Sequence, residues 1–105
     1  TGDIIAFTTS DKKLKENIKK INKPLEKIKT ITGNTFTWNE SSSIENRGKQ
    51  DTGVIAQEVD NLLPGLTRTH EDSNVMSVRY EKLIPLLVEC IKEQQKQIDN
   101  IKEGR

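Results

Sequence analysis

A hydroxyl and an amine stand five positions apart in the stretch Ser10-Asp11-Lys12-Lys13-Leu14-Lys15. A serine beside a lysine can work as a nucleophile with its base, provided the amine is neutral. Burial and neighbouring cations both favour the neutral amine, and Lys12, Lys13 and Lys19 supply cations nearby. The rest of the chain offers little other chemistry. It has one His, His70, and one Cys, Cys90. Neither an internal disulfide nor a Cys/His zinc site can be assembled from one copy, so no metal site and no cofactor is expected. Cys90 reads as a packing residue, because nothing near it in sequence completes a Cys-His nucleophile. An ordinary reading competes at Ser10. Ser and Asp are favoured N-caps, so Ser10 or Asp11 would simply start a turn whose lysines face water. Residue types and spacing alone favour the cap, with the chemical pair as the alternative.

The elements that would have to position this stretch are small. At 105 residues the chain is one domain at most, and apolar residues make up only 31% of it, with another 31% charged. That apolar share is low for a globular protein. A compact monomer would bury too little surface to offset its conformational entropy, which points to burial against other copies of the chain. The net charge of +1 gives no global field for nucleic acid or an anionic membrane. No apolar run approaches the roughly 20 residues of a membrane helix, and no signal-peptide core is present. Neither nucleic acid nor a membrane is expected as a partner. The chain opens with Thr1 and reads as a piece of a longer protein.

The β-branched run from Ile4 to Thr9 reads as a strand, with a boundary at Ser10 where the composition changes. Residues 11–29 carry eight lysines against Asp11, Glu16 and Glu26. Leu14, Ile18, Ile21, Leu25 and Ile28 recur at helical spacing among them and are expected to turn inward. No aromatic interleaves the lysines to stack on bases, so a solvated face is favoured over a phosphate-binding one. A short turn or helix is expected after Ser10, then a break near Pro24 and a helix from about Pro24 to Ile31. Thr35 to Trp38 alternates, placing Phe36 and Trp38 on one side of a strand. Residues 39–52 read as a polar loop. Gly53 to Leu63 reads as a helix with Val54, Ile55, Val59, Leu62 and Leu63 on its apolar face, stopped by Pro64-Gly65. Leu66–His70 and Val75–Val78 read as two strands joined by a turn at 71–74. His70, alone at a strand end, reads as structural or simply exposed.

From Tyr80 to Lys102 the apolar spacing changes to that of a coiled coil. Tyr80, Ile84, Leu87, Ile91, Gln94, Ile98 and Ile101 follow alternating steps of four and three. Ile84, Ile91 and Ile98 take the a positions; Leu87, Gln94 and Ile101 take d. This mixture permits a dimer or a trimer, and the all-isoleucine last layer shifts preference above two strands. Gln94 is a polar residue in the seam that can fix register. Pro85 moves the helix start to Lys82 or Leu83. The competing reading is an amphipathic helix packed on its own domain.

Four stretches together bring a family into view: SDKKLKENI at 10–18, TGNTFTW at 32–38, GVIAQEV at 53–59 and VRYEKLIPLLVECIKEQQKQI at 78–98. Their order and spacing resemble the intramolecular chaperone domains at the C-terminal end of bacteriophage tail spikes, tail fibres and neck appendages. A related auto-processing domain occurs in the eukaryotic myelin regulatory factor. The resemblance runs from residue 10 to about 102. It implies an α+β domain of short helices and short antiparallel strands leading to a long C-terminal helix, residues 79–103, that forms a homotrimeric coiled coil. Residues 1–9 would end an upstream fibre segment and 10–105 would form the chaperone domain. The resemblance further implies that the domain trimerises and assists folding of the upstream fibre. It then cuts itself off between Thr9 and Ser10, with Ser10 as nucleophile, Lys15 as general base and Asp11 as a supporting residue. Partners would be two further copies and the fibre segment of the same polypeptide. The setting would be the bacterial host cytoplasm during virion assembly, with the fibre kept in the virion and the chaperone domain released. A regular helix does not bring residues five apart together, so an irregular or short turn is expected at Ser10. The alternative is a non-catalytic trimerisation module in which Ser10 is only a cap.

Overall fold

Residues 7–104 are described by a computed structural model of the chain. Three α-helices, two β-hairpins and two 3-10 turns alternate along them. The strand expected from Ile4 begins outside the described residues, and 7–9 carry no regular structure. A 3-10 turn covers Lys12–Leu14. Helix α1 (Pro24–Ile28) starts at Pro24, where a residue lacking an N–H costs nothing. It ends three residues earlier than the sequence indicated. The chain tightens instead into i,i+3 bonds, with the Thr30 amide donating to Lys27 O at 3.2 Å and the Ile31 amide to Ile28 O at 3.1 Å. Leu14 and Ile18, expected to face inward, are 68% and 62% exposed. The stretch between the 3-10 turn and α1 forms no helix, so helical spacing there produces no common face. Ile21, Leu25 and Ile28 are half-buried.

The first hairpin pairs β1 (Asn34–Thr37) with β2 (Gln50–Gly53), Asn34 opposite Gly53 and Thr37 opposite Gln50. The end of the expected 39–52 loop is therefore a strand. Its polar residues contribute backbone rather than apolar side chains, and the pairing continues past the strand ends. The Trp38 amide donates to Lys49 O and the Gly48 amide to Trp38 O, both at 2.9 Å. Trp38 Nε1–H also donates to Asp51 Oδ2 at 3.2 Å. Phe36 and Trp38 share a face as expected, with ring centroids 4.9 Å apart and edges to faces. Both are half-buried.

Helix α2 (Ala56–Val59) is a single turn rather than the expected run to Leu63. Gly53 is drawn into β2, and Asn61 at φ 67° takes the left-handed region that ends a helix. Of the apolar face expected there, Val59 is fully buried, Val54, Leu62 and Leu63 are half-buried, and Ile55 is exposed. The second hairpin joins β3 (Thr67–Thr69) to β4 (Met76–Val78) with Arg68 opposite Ser77. It closes where the sequence places the turn, with Asn74 at φ 57°. His70 meets Ser77 through Nε2 and Oγ at 2.8 Å. A 3-10 turn at Tyr80–Lys82 leads into α3 (Leu83–Lys102). At 20 residues this helix is about 30 Å long.

Fully or nearly buried apolar side chains among the described residues are Val59, Leu66, Leu86 and Cys90, joined by Pro24 at the start of α1. Helix α1 packs on α3 and α2 on β4. Leu86 and Cys90 lie one turn apart on the same face of α3, and the Cys90 thiol donates to the Pro24 carbonyl at 3.3 Å. Burial pushes this thiol's pKa up, which keeps it protonated and suits its packing role. The radius of gyration, 17.6 Å, exceeds the ~13 Å of a compact chain this long. Two stretches are exposed almost throughout, residues 7–20 and the C-terminal half of α3 from Ile91 onward.

Polar ties join elements that the small core cannot hold. Glu58 Oε1 accepts from the Thr32 amide at 2.9 Å and from its hydroxyl at 2.8 Å, fastening the turn before β1 to α2. Thr67 Oγ1 donates to Asp60 Oδ1 at 2.7 Å. The Val54 amide donates to the Tyr80 hydroxyl at 3.1 Å. Tyr80 also comes so close to Gly53 that a Cβ there would lie 2.5 Å from its hydroxyl oxygen. Gly53→Ala should therefore destabilise the domain by about 2 kcal/mol, through a clash or loss of the Val54 bond. In thermal melts, Tyr80→Phe should relieve much of that loss, so the double variant costs less than the two singles summed; strict additivity would rule out the clash. Glu58→Ala should cost about 1 kcal/mol and Glu58→Gln, which keeps an acceptor, clearly less. Equal melting points for the two would show that the Thr32 bonds contribute nothing.

Candidate functional site

The Ser10 turn is built almost wholly from its own six residues. Asp11 is extended, at φ −68° and ψ 131°, and its Oδ1 accepts from the Lys13 amide at 3.0 Å. Its carbonyl accepts from the Leu14 amide, and the Lys12 carbonyl from the Lys15 amide, each at 3.1 Å. Lys15 then leaves the turn extended, at φ −120° and ψ 144°. A 3-10 turn rises about 2.0 Å per residue with three residues per turn, so a residue just beyond its end can reach back to one just before its start. Lys15 does so: Nζ lies 2.7 Å from Ser10 Oγ. The short, irregular turn expected here is what the chain forms.

Chemically, this contact has the heavy-atom distance of a nucleophile and its base. With a charged ammonium, Lys15 donates to Ser10 Oγ; with a neutral amine the direction reverses and the serine hydroxyl donates. Ser10, Lys15 and the Thr9–Ser10 peptide are all exposed. Among the described hydrogen bonds and ion pairs, the Asp11 carboxylate reaches Lys13, through the amide and a 3.9 Å contact to Nζ, and neither member of the pair. The exposed Lys13 contact is worth little.

The seam residues form a second surface. Ile84, Ile91 and Ile101 are 59%, 66% and 72% exposed, and Leu87, Gln94 and Ile98 are exposed with them. Helix α3 thus has two apolar faces. Leu86 and Cys90 occupy the one that packs within the chain; the heptad positions occupy the other, open one. The competing reading, a helix packed on its own domain, holds for the first face and leaves the second unaccounted for. Tyr80, placed by spacing at the head of the seam, lies in the 3-10 turn before α3 and anchors Val54 instead.

Sequence reasoning missed the residues that join the motifs. Thr32 meets Glu58, and Gly53 and Val54 meet Tyr80, linking the stretches at 32–38, 53–59 and 78–98. The two hydrogen-bonded pairs, Thr32–Glu58 and Val54–Tyr80, each lie 26 positions apart, and periodicity carries no signal at that separation. No group of three or more His, Cys, Asp or Glu able to hold a metal is present among the described residues.

Comparison with known proteins gives this arrangement a context. The sequence profile of a family named as a peptidase and described as chaperone of endosialidase matches residues 10–68, beginning at Ser10. The chain is 30% identical over 101 residues to the long tail fiber protein Gp37 of Salmonella phage S16, which covers 90% of this chain and 13% of that protein. It is 32% identical over 92 residues to the Gp37 proteins of Enterobacteria phages K3 and T2, covering 82% of this chain and 7% of each. The chain therefore spans a small part of these relatives. With the family profile covering more than half of its residues, the chain belongs to the chaperone of endosialidase family.

Proposed function

We propose that this domain is the intramolecular chaperone of a phage tail fibre, that it assembles as a homotrimer through α3, and that it releases itself by cleavage between Thr9 and Ser10. The observation that carries the chemistry is the 2.7 Å contact between Ser10 Oγ and Lys15 Nζ, at the residue where the family profile begins. Neutral Lys15 accepts the Ser10 hydroxyl proton, and Oγ attacks the preceding carbonyl carbon, that of Thr9. The C–N bond breaks as Lys15 returns the proton to the Ser10 nitrogen, leaving Thr9 esterified to Ser10 Oγ. Water then hydrolyses the ester. Each domain acts once, on its own chain.

The open heptad face of α3 and the relatives' identity as long tail fibre proteins support the assembly half of the reading. What assembly adds to catalysis is cover rather than alignment. The pair is in contact within one chain, but it is exposed, and a lysine works as a base when water is excluded from it. A neighbouring copy is the source of that exclusion. Release after assembly makes the step irreversible and gives the fibre kinetic stability.

Mass spectrometry of the domain expressed with its upstream fibre tests the chemistry. Wild type should yield a cut between Thr9 and Ser10, while Ser10→Ala and Lys15→Ala should stay full length. A normal product from either variant removes that residue from the mechanism. Full-length Ser10→Ala fibre that assembles normally, from a wild type that is itself never cut, would favour the second reading, a non-catalytic folding module. Ile91→Asp tests the coupling. On the exposed face it should shift single-chain stability by no more than about 0.5 kcal/mol, yet a charge in the seam should abolish the trimer. Light scattering should then report monomer mass, and cleavage should fall by about tenfold or more if burying the lysine supplies the ~1.4 kcal/mol per decade involved. Full-rate cleavage by a monomeric variant would separate the chemistry from assembly.

A further inference from the structure

We infer that Asp11 is a positioning residue for the Ser10–Lys15 pair, acting as a neutral-tolerant cap on the 3-10 turn rather than through its charge; this rests on the cleavage reading above. The Lys12–Leu14 turn contains no buried residue, so packing does not hold it. A single 3-10 turn with nothing packed on it is marginal by itself. Three hydrogen bonds close it. Two run between backbone groups, Leu14 to Asp11 and Lys15 to Lys12. The third, from the Lys13 amide to Asp11 Oδ1 at 3.0 Å, is the one that depends on a side chain.

That bond decides where Lys15 goes. It holds Asp11 extended while the next three residues turn, which sets the direction in which the chain re-emerges at Lys15. If the turn opens, the stretch extends to ~3.3 Å per residue and the two side chains separate. The carboxylate makes no described bond to Ser10 or Lys15, so its effect passes through the backbone. An amide oxygen at the same position can accept the Lys13 bond equally well, since Asn and Asp are comparable caps.

The test follows the rate at which the cut fibre appears in wild type, Asp11→Asn and Asp11→Ala, using the domain with its upstream fibre and checking by light scattering that each remains assembled. Loss of a cap shifts a local equilibrium by about two- to thirtyfold, so Asp11→Ala should cleave roughly fivefold more slowly, and Asp11→Asn within about twofold of wild type. Asp11→Asn as slow as Asp11→Ala would assign the role to the charge and overturn the proposal. Asp11→Ala at the wild-type rate would also overturn it. The cleavage reading fails by a different result, an uncut wild type or a cut Ser10→Ala, and Asp11 then loses its positioning role with it.

Discussion

Five residues, Pro24, Val59, Leu66, Leu86 and Cys90, form the buried apolar core among the described residues, and the rest of the architecture follows from how little that is. Each such side chain contributes about 1.5–3 kcal/mol, against a backbone entropy cost of about 1–2 kcal/mol for every ordered residue. The chain responds in two ways. Within itself it joins short elements by long-range polar bonds, Thr32 to Glu58 and Val54 to Tyr80. Outside itself it leaves an apolar face of α3 unfilled. A chain with a larger core could leave such a face polar; this one has its main remaining apolar reserve there.

The two faces of α3 are offset around one helix, and in the proposed trimer this arrangement would link folding of the domain to its assembly. Leu86 and Cys90 fix the helix on α1 through the Pro24 contact. With that face held, the heptad residues are presented outward in a defined orientation. Pro85, in the first turn, costs no hydrogen bond because its N–H would have no partner within the helix. Beyond Ile91 the helix runs past the domain with little on either side, so the inner face and the open face have parted by its C-terminal half.

Periodic elements could be read from the residues alone, and elements set by distant partners could not. Steps of four and three gave α3 its outward face, because a heptad stripe is a property of one helix, and Pro85 gave its start near Leu83. The hairpin at 67–78 was legible because its turn residues lie between two β-rich runs. Strand β2 was not: Gln50-Asp51-Thr52 is polar, and it is a strand because β1 pairs with it. Helix α2 shrank to one turn for a related reason, with Gly53 committed to β2 and to a close approach by Tyr80. Leu14 and Ile18 had helical spacing but no helix to express it. At the Ser10 turn the residue types permitted a cap and a chemical pair at once. The structure divides the two positions between neighbours: Asp11 caps, and Ser10 is hydrogen-bonded to Lys15.

That division bears on what assembly can control. The Ser10–Lys15 contact closes over five positions and is held by bonds within the same stretch. Local contacts carry little loop-closure cost and form early in folding. A pair of this kind cannot sense, by its own alignment, whether three distant helices have docked. Only a property that a single chain lacks can do so, and the exposed site lacks exclusion of water. In the trimer and cleavage proposed above, control of timing would therefore act on the solvent around Lys15. In that proposal the turn itself need not change: the bond from the Lys13 amide to Asp11 closes it within one chain, which would leave timing to the neighbouring copy.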